Sequence, residues 1–204
     1  NIVEGYGMAQ ILKEDVRNKI YRAAVEEFYR KDYQSAALRS IAGNAGVPVG
    51  LIYTYYKGKE ALFDAVVSSV YHDFRDFLLR DKVSEADPGY KDFFQTEMPF
   101  CLQLLKNRRR PFLILIDKSK GTMYENAREE FIRLTQNHIQ RIEENSIEMH
   151  CGVKVDDLFY HILADNFMEG LFEIARHYKN EEWAVQMLHL LSRHHFYGMN
   201  ALDK

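Results

Sequence analysis

Apolar side chains recur every three or four residues along most of the chain, which is the period of an amphipathic α-helix. In the first such segment, Val16, Ile20, Ala24 and Phe28 share one face. The pattern predicts helices over about 14–30, 38–44, 48–55, 59–79, 90–106, 125–149, 155–178 and 181–199, with a further apolar segment at 112–116. We therefore expect an all-α fold of about nine helices.

Polar segments separate the later helices. Asp81–Gly89 and Asp117–Tyr124 are predicted loops, and Pro99 is expected to kink the helix that contains it, because proline removes a helical N–H. Arg108-Arg109-Arg110 forms a basic cluster before Pro111. Such a cluster either contacts an anion or DNA backbone, or lies at a helix C-terminus, where the carbonyl groups favour cations. The second interpretation is favoured.

Two of the predicted helices are short and adjacent, Leu38–Asn44 and Pro48–Tyr55, and Gly46 lies between them. Glycine reaches positive φ without a Cβ clash, so it suits a sharp reversal of the chain. A small apolar set is available to pack both helices on a third: Ile41, Ala42, Ala45, Val47 and Ile52. This arrangement predicts a helix-turn-helix, whose second helix can enter the major groove of DNA.

The charges around this segment favour the same interpretation. From Tyr33 to Lys59 the sequence contains no Asp or Glu, and its charged residues are Arg39, Lys57 and Lys59. A surface that approaches phosphate groups gains from lacking carboxylates. The net charge of the whole chain is −3, which argues against nonspecific coating of nucleic acid and is compatible with one local DNA-binding face.

At these residues the sequence resembles the TetR family of bacterial repressors. The resemblance extends over about 13–65, roughly a quarter of the chain. The residues that carry it are Ile41-Ala42, Ala45-Gly46-Val47, Gly50-Leu51-Ile52-Tyr53-Thr54-Tyr55-Tyr56 and Lys59-Glu60-Ala61-Leu62.

The resemblance implies a recognition helix at Pro48–Tyr55. It implies phosphate contacts from Tyr53, Tyr55 and Lys59, and a contact from Arg39 to a base edge or to the DNA backbone. The complete predicted DNA-binding set is Arg39, Pro48, Val49, Gly50, Leu51, Tyr53, Thr54, Tyr55, Lys57 and Lys59.

Three residues depart from the family pattern. Ala37 stands where a capping, phosphate-contacting threonine is usual, and Ser35 is a candidate substitute cap. Pro48 replaces a common serine, which proline tolerates as a first helical residue. Val49 stands where a polar residue often faces the groove, so base reading is expected to use apolar contacts of Val49 and Leu51 with thymine methyl groups.

The composition allows a large packed core. Hydrophobic residues make up 47% of the 204 positions. Two isolated cysteines suggest a reducing compartment without a disulfide framework. No apolar run approaches the ~20 residues that span a bilayer, and a cytoplasmic location is expected.

Three parts of the chain are expected: a tail at 1–12, a DNA-binding domain at 13–58, and a sensing and dimerisation domain at 59–204. Within the tail, Asn1–Gly7 is expected to be flexible chain or a remnant of expression before Met8.

The last two predicted helices are apolar on more than one side, and a second apolar stripe has to be buried somewhere. Another copy of the chain is the economical partner, and two helices from each subunit predict a four-helix interface. The predicted interface residues are Leu171, Phe172, Met187 and Leu191.

The resemblance further implies that the larger helical domain, an antiparallel bundle, encloses a pocket for a small apolar or amphipathic effector. The predicted walls are Phe74, Met98, Cys101, Leu105, Phe131, His138 and Phe167, although each of these residues is individually as compatible with a plain core.

Other chemistry has little support. His161, Asp165, Glu169, Glu173 and His177 recur every four residues, so a metal or acid–base pair is conceivable, but a polar stripe or hydrogen bonding between subunits is the simpler account. The sequence lacks a phosphate-binding glycine loop, a nucleophile elbow and paired CxxC motifs. We therefore expect no enzyme, cofactor or metal, but a homodimeric, ligand-responsive repressor of a palindromic DNA site. The alternative is a helical protein-interaction module without DNA binding.

Overall fold

The computed structural model describes residues 2–80, 97–151 and 154–202, with side chains described for 13–80, 97–141 and 154–198. The regular structure in these ranges is helical, which confirms the all-α fold. Among the described residues, no helix has both the length and the apolar character needed to cross a membrane. The helices are α1 Ile2–Arg30, α2 Leu38–Ala45, α3 Val49–Tyr55, α4 Lys59–Leu79, α5 Met98–Asn107, α6 Arg109–Asp117, α7 Ala127–Cys151, α8 Asp157–Arg176 and α9 Glu181–Leu202.

The chain packs into two compact units. The first consists of residues 1–71 and 110–125, and the second of residues 72–109 and 126–204. Helix α4 contributes Lys59–Tyr71 to the first unit and His72–Leu79 to the second. The assignment of DNA binding to 13–58 and of sensing to 59–204 concerns function, and it stays a prediction.

Helices α1, α2 and α3 form the helix-turn-helix part of the first unit. The two short helices bury only Ile41, Ala42 and Ile52, and helix α1 offers Ile20 and Phe28 as fully buried partners in the same unit. Because each short helix buries so little of its own surface, both depend on tertiary packing for their stability.

The turn between α2 and α3 has the expected glycine conformation. Gly46 has φ 67° and ψ 33°, and it ends α2 in the left-handed region. The N–H groups of Gly46 and Val47 satisfy the carbonyls of Gly43 and Ala42 at 3.1 and 3.0 Å. Pro48 differs from expectation, because it is the N-cap of α3 (φ −61°, ψ 143°) and the helix begins at Val49.

Helix α1 is longer than predicted. It begins at Ile2, whereas the sequence placed the first helical residue at about Glu14 and a tail before it. Periodicity predicts a helix only where apolar residues recur on one face. A helical segment without that recurrence is therefore not predicted from the sequence.

The segment 110–125 belongs to the first unit although it lies far along the chain. Helix α6 buries all five residues of Phe112–Ile116. In the following loop, the Tyr124 hydroxyl donates to Asp64, and the Tyr124 ring contacts that of Tyr71 at a centroid distance of 5.2 Å. The Lys118 carbonyl accepts the N–H of Tyr33 at 3.0 Å, so this loop supports the turn before α2.

The predicted kink at Pro99 depends on residues before Glu97 that lie outside the described part of the chain, and it stays a prediction. Helix α5 begins at Met98, which places Pro99 in its first turn, where the missing N–H has no intrahelical acceptor to lose. The predicted loop Asp81–Gly89 and the predicted helical start at Tyr90 lie outside the described residues.

The three consecutive arginines all have partners within the chain. Arg108 pairs with Asp73, and Arg110 pairs with Glu26. Arg109 donates to the Ala175 carbonyl, 3.3 Å away in the last turn of α8. The favoured interpretation holds for Arg108, which is the C-cap of α5, whereas Arg109 and Arg110 are the first residues of α6.

Helices α8 and α9 approach closely in the second unit. A Cβ on Gly170 would lie 2.5 Å from Leu191 Cδ1, so the missing side chain lets the helices meet. The core around them includes Tyr160, Met168 and Leu188.

His195 lies in a mostly buried position on α9. Its ring centroid is 4.7 Å from that of Phe167 and 5.3 Å from that of Phe196. Burial and, to a smaller extent, the neighbouring charge of His194 lower the pKa of His195 to about 4. The imidazole is therefore neutral at pH 7.

This burial makes the stability of the second unit depend on pH. We expect the free energy of unfolding to fall as pH drops from 6.5 towards 4, because the unfolded chain takes up a proton on His195 that the folded chain refuses. Urea titrations at pH 7 and pH 5 measure this loss. It should be much smaller in His195→Phe and only slightly smaller in His194→Gln, because the charge of the exposed His194 is the lesser cause of the lowered pKa of His195. Equal losses in all three proteins would contradict the assignment to His195.

Candidate nucleic-acid interface

Helix α3 has one buried side and one open side. Ile52 is the buried anchor, and the half-buried Val49, Leu51 and Tyr55 flank it. Tyr53 is 58% exposed, and Gly50 and Thr54 are also exposed. The open side carries no charge and only one large side chain, so it can lie close to another surface.

Two exposed cations lie on either side of α3 in the sequence. Arg39, in the first turn of α2, and Lys57, after α3, are exposed. Within the described part of the chain, neither side chain forms a hydrogen bond or an ion pair. With Pro48, the exposed members of the predicted DNA-binding set are thus Arg39, Pro48, Gly50, Tyr53, Thr54 and Lys57. Contact of any of these with DNA stays a prediction.

Lys59 has a structural role that the sequence did not indicate. Its Nζ donates to the carbonyl oxygens of Gln34 and Ala36, each at 3.1 Å, and lies 4.6 Å from the centre of the Tyr33 ring. These bonds tie the start of α4 to the turn before α2. The ammonium group predicted to contact phosphate is therefore occupied by carbonyl oxygens of its own chain.

The start of α2 lacks the cap expected from Ser35, and that prediction is wrong. Ala37 occupies the N-cap position with no side-chain hydrogen bond. The N–H of Ser35 instead donates to Asp32 Oδ1 at 2.7 Å, and this bond closes a local turn before α2 begins.

Glu27 is a residue of this region that the sequence analysis missed. Its side chain is 0% exposed, and its carboxylate accepts bonds from Lys31 at 2.8 Å and Arg30 at 3.3 Å. A signal was present, because Glu27 lies seven residues after Ile20 on the apolar face of α1.

The predicted pocket residues lie in the second unit and are mostly buried. Met98, Cys101 and Leu105 on α5 are buried, and the rings of Phe74 and Phe131 pack at 4.7 Å. Burial raises the pKa of Cys101 to about 12, so its thiol stays protonated. His138 is half-buried with Nδ1 3.3 Å from Arg141, and Phe167 contacts His195. The structure thus brings Phe74 and Phe131 together, and it places Phe167 beside His195 and His138 beside Arg141.

The predicted dimer residues fall into two groups. Leu171 and Phe172 are buried inside their own unit, so their side chains are not at its surface. Met187 and Leu191 are half-buried and line a cleft of about 440 Å³ between α8 and α9. The apolar residues that share this cleft with them are Gly170, Ile174, Trp183 and Leu190.

The polar stripe of α8 is engaged in ion pairs. Glu169 pairs with Arg128 at 2.6 Å and with Arg176 at 3.6 Å. Glu173 pairs with Arg176 and with His177. No group of metal-binding residues occurs among the described side chains. These bonds lie within one chain, so the stripe stabilises the second unit.

Comparison with known proteins identifies the helix-turn-helix. Residues 20–66 match the family model described as bacterial regulatory proteins, tetR family. This range contains α2, α3 and the start of α4, and it includes every residue of the predicted DNA-binding set.

Solved structures share the fold over most of the chain. NalD, the secondary repressor of the MexAB-OprM multidrug efflux pump in Pseudomonas aeruginosa, is 22% identical, with 89% of this chain and 95% of that chain covered and a TM-score of 0.54. MexZ, a repressor from the same organism, is 18% identical, with 93% and 95% covered and a TM-score of 0.57. A TetR-like transcriptional regulator from Rhodococcus sp. RHA1 is 16% identical, with 90% and 96% covered and a TM-score of 0.58.

At these identities the structures establish the fold, and the family model establishes the helix-turn-helix. Residues 20–66 are thus similar to bacterial regulatory proteins of the tetR family, and the chain shares its fold with these solved structures.

Proposed function

We propose that this protein is a ligand-responsive transcriptional repressor that binds a palindromic DNA site as a homodimer. The observation that carries the proposal is the open side of α3. It is uncharged and lies in a segment without carboxylates. The exposed side chains of Arg39 and Lys57, before and after α3 in the sequence, form no hydrogen bond or ion pair within the described residues. A helix of this kind can enter the major groove without repelling phosphate groups.

The side chains on this surface suggest how bases are read. Arg39 is the one long donor in α2 and α3, and arginine pairs with guanine O6 and N7. Gly50 has no side chain, so the backbone of α3 can approach the DNA closely. Val49 and Leu51 are positioned beside the exposed face, where they can contact thymine methyl groups. The hydroxyl groups of Tyr53 and Thr54 suit phosphate oxygens.

Dimerisation is supported by the exposed apolar surface of α8 and α9. On α9, Leu190 and Tyr197 are 59% and 54% exposed and lie two turns apart on one face, which Trp183 and Met187 extend. A contiguous apolar surface of this kind commonly marks a protein interface. A second copy that applies the same two helices would bury both surfaces in a four-helix contact.

Effector sensing is supported by the apolar character of the second unit. An effector that binds among the predicted wall residues would act on α4, which contributes Phe74 to that unit and its first residues to the DNA-binding unit. Recognition helices of a dimer must match major-groove segments about 34–36 Å apart. A ligand that favours a different inclination of α4 would therefore lower DNA affinity.

The decisive experiment is selection of bound DNA from random sequence at defined salt. We expect palindromic sites, each half recognised by one subunit, with guanine preferred at one position per half-site. Repetition with Arg39→Ala should relax that preference, because its guanidinium no longer reaches the base. Weak, salt-insensitive binding without selected sequences would instead favour the protein-interaction module. A selected site also provides the reporter for effector screening.

Lys57 should contribute affinity without specificity. We expect Lys57→Ala to weaken binding to all sequences alike and to reduce the salt slope by about 0.9 per subunit, the value for one lost phosphate contact. Fluorescence anisotropy from low to moderate salt measures this slope. Lys154→Ala, which removes an exposed lysine from the second unit, is the matched control. Identical slopes for both variants would remove Lys57 from the interface.

The α8–α9 surface can be tested without disturbing the core. Leu190→Glu should convert the dimer to a monomer, because its side chain is 59% exposed in one chain and apolar contact is lost only between chains. Analytical ultracentrifugation gives the mass. Met123→Glu, at a 78% exposed position of the first unit, should remain dimeric. A dimeric Leu190→Glu protein would exclude this surface.

A further inference from the structure

The segment that joins α1 to α2 has few bonds of its own. It contains one turn, in which the N–H of Ala36 donates to the Asp32 carbonyl at 3.0 Å. Ala37, the N-cap of α2, forms no side-chain hydrogen bond. Arg39 follows in the first turn of α2, so the reach of its exposed side chain depends on how this segment directs the helix. Contacts from other elements must therefore hold the turn.

Helix α4 supplies such contacts from its first two turns. Lys59, its first residue, donates from Nζ to the carbonyl oxygens of Gln34 and Ala36, each at 3.1 Å. The same Nζ lies 4.6 Å from the centre of the Tyr33 ring. One helical turn later, the Phe63 ring meets the Tyr33 ring edge-on at a centroid distance of 5.1 Å. Helix α4 thus contacts the turn at three of its positions.

Tyr33 is also held by two further elements of the first unit. Its ring stacks on that of the buried Phe28, on α1, at a centroid distance of 6.4 Å. Its N–H donates to the carbonyl of Lys118, in the loop after α6, at 3.0 Å. The side chain of the turn is therefore already fixed. What the two bonds from Lys59 add is a constraint on the backbone between Tyr33 and α2.

The ammonium group of Lys59 has little capacity left for a phosphate group. A lysine has three N–H donors, and two of them are used by carbonyl oxygens. Lys59 is half-buried, whereas Lys57 is exposed. Lys59 also occupies the N-terminus of α4, where the helix dipole favours negative charge. Helix stability therefore does not call for a cation here, whereas the two carbonyl oxygens do.

We propose that Lys59 is a positioning residue, which couples the start of α4 to α2 and thereby orients Arg39, and that it is not a phosphate contact. The inference rests on the proposed function. It also deepens it, because a change in the inclination of α4 would be passed to α2 through the backbone to which Lys59 bonds, as well as to the adjoining α3.

The test compares Lys59→Met with Lys57→Met. Both variants lose one ammonium group and keep an apolar stem. Loss of a phosphate contact weakens binding to all sequences alike and lowers the salt slope by about 0.9 per subunit, which we expect of Lys57→Met. Lys59→Met should instead weaken binding to the selected DNA about fivefold or more, and leave the salt slope and the affinity for a scrambled duplex unchanged. Fluorescence anisotropy with both duplexes measures these quantities.

Amide hydrogen exchange in the absence of DNA tests the contact itself. The N–H groups of Tyr33 and Ala36 lie in the turn and have backbone acceptors. Both should exchange about fivefold faster or more in Lys59→Met, because the turn opens more readily without two of its hydrogen bonds. They should be unchanged in Lys57→Met. Lys59→Gln, which retains an N–H donor, should lie between wild type and Lys59→Met, and it replaces Lys59→Met if that variant does not fold.

Each contrary result has a definite meaning. A lowered salt slope, or equal losses for both duplexes, would make Lys59 a phosphate contact and overturn the proposal. Unchanged exchange at Tyr33 and Ala36, or an equal increase throughout α1 and α4, would overturn it as well, since the turn would not depend specifically on Lys59. Faster exchange in the turn with wild-type DNA affinity would leave a structural bond and overturn the positioning role.

Failure of the proposed function would look different. A wild-type protein that selects no DNA would refute that function, and the positioning role would fall with it. The exchange measurement on the free protein would still decide whether Lys59 holds the turn before α2.

Discussion

Helix α3 is seven residues long and buries one side chain, Ile52. A helix of that length is not stable alone, and one anchor does not set its direction. Its orientation is therefore imposed by the elements around it: the left-handed turn at Gly46, the packing of α2 on α1, and the contacts that hold the turn before α2. The surface that faces outward is available because this framework needs so few residues from α3.

The turn before α2 is held by two other elements of the first unit. Helix α4 contributes the ammonium of Lys59, and the loop after α6 contributes the carbonyl of Lys118. Each bond goes to the backbone, so the constraint acts on the course of the chain and not on one side chain. The first unit accordingly includes residues 110–125 as well as residues 1–71.

Lysine and arginine side chains have different roles in this chain, which depend on the groups that surround each of them. Carbonyl oxygens or carboxylates accept hydrogen bonds from Lys59, Arg108, Arg109 and Arg110. The side chains of Arg39 and Lys57 are exposed and form no such bonds in the described part of the chain. An engaged cation stabilises its own fold. An exposed one can release counterions on binding DNA, which is the main source of electrostatic affinity.

Periodicity alone determined the fold class and most helix positions, because burial of an apolar stripe recurs with the helical period. The residues expected on the open face of α3 came from the family resemblance. The glycine turn was predictable for the same kind of local reason, since only one residue type adopts positive φ freely. The first helical residue of α1, the hydrogen bonds of Lys59, and the burial of Glu27, Leu171 and Phe172 were decided by tertiary structure. Those features depend on which distant backbone groups come within hydrogen-bond distance and on which of two apolar stripes meets the core, and a single sequence does not specify these partners.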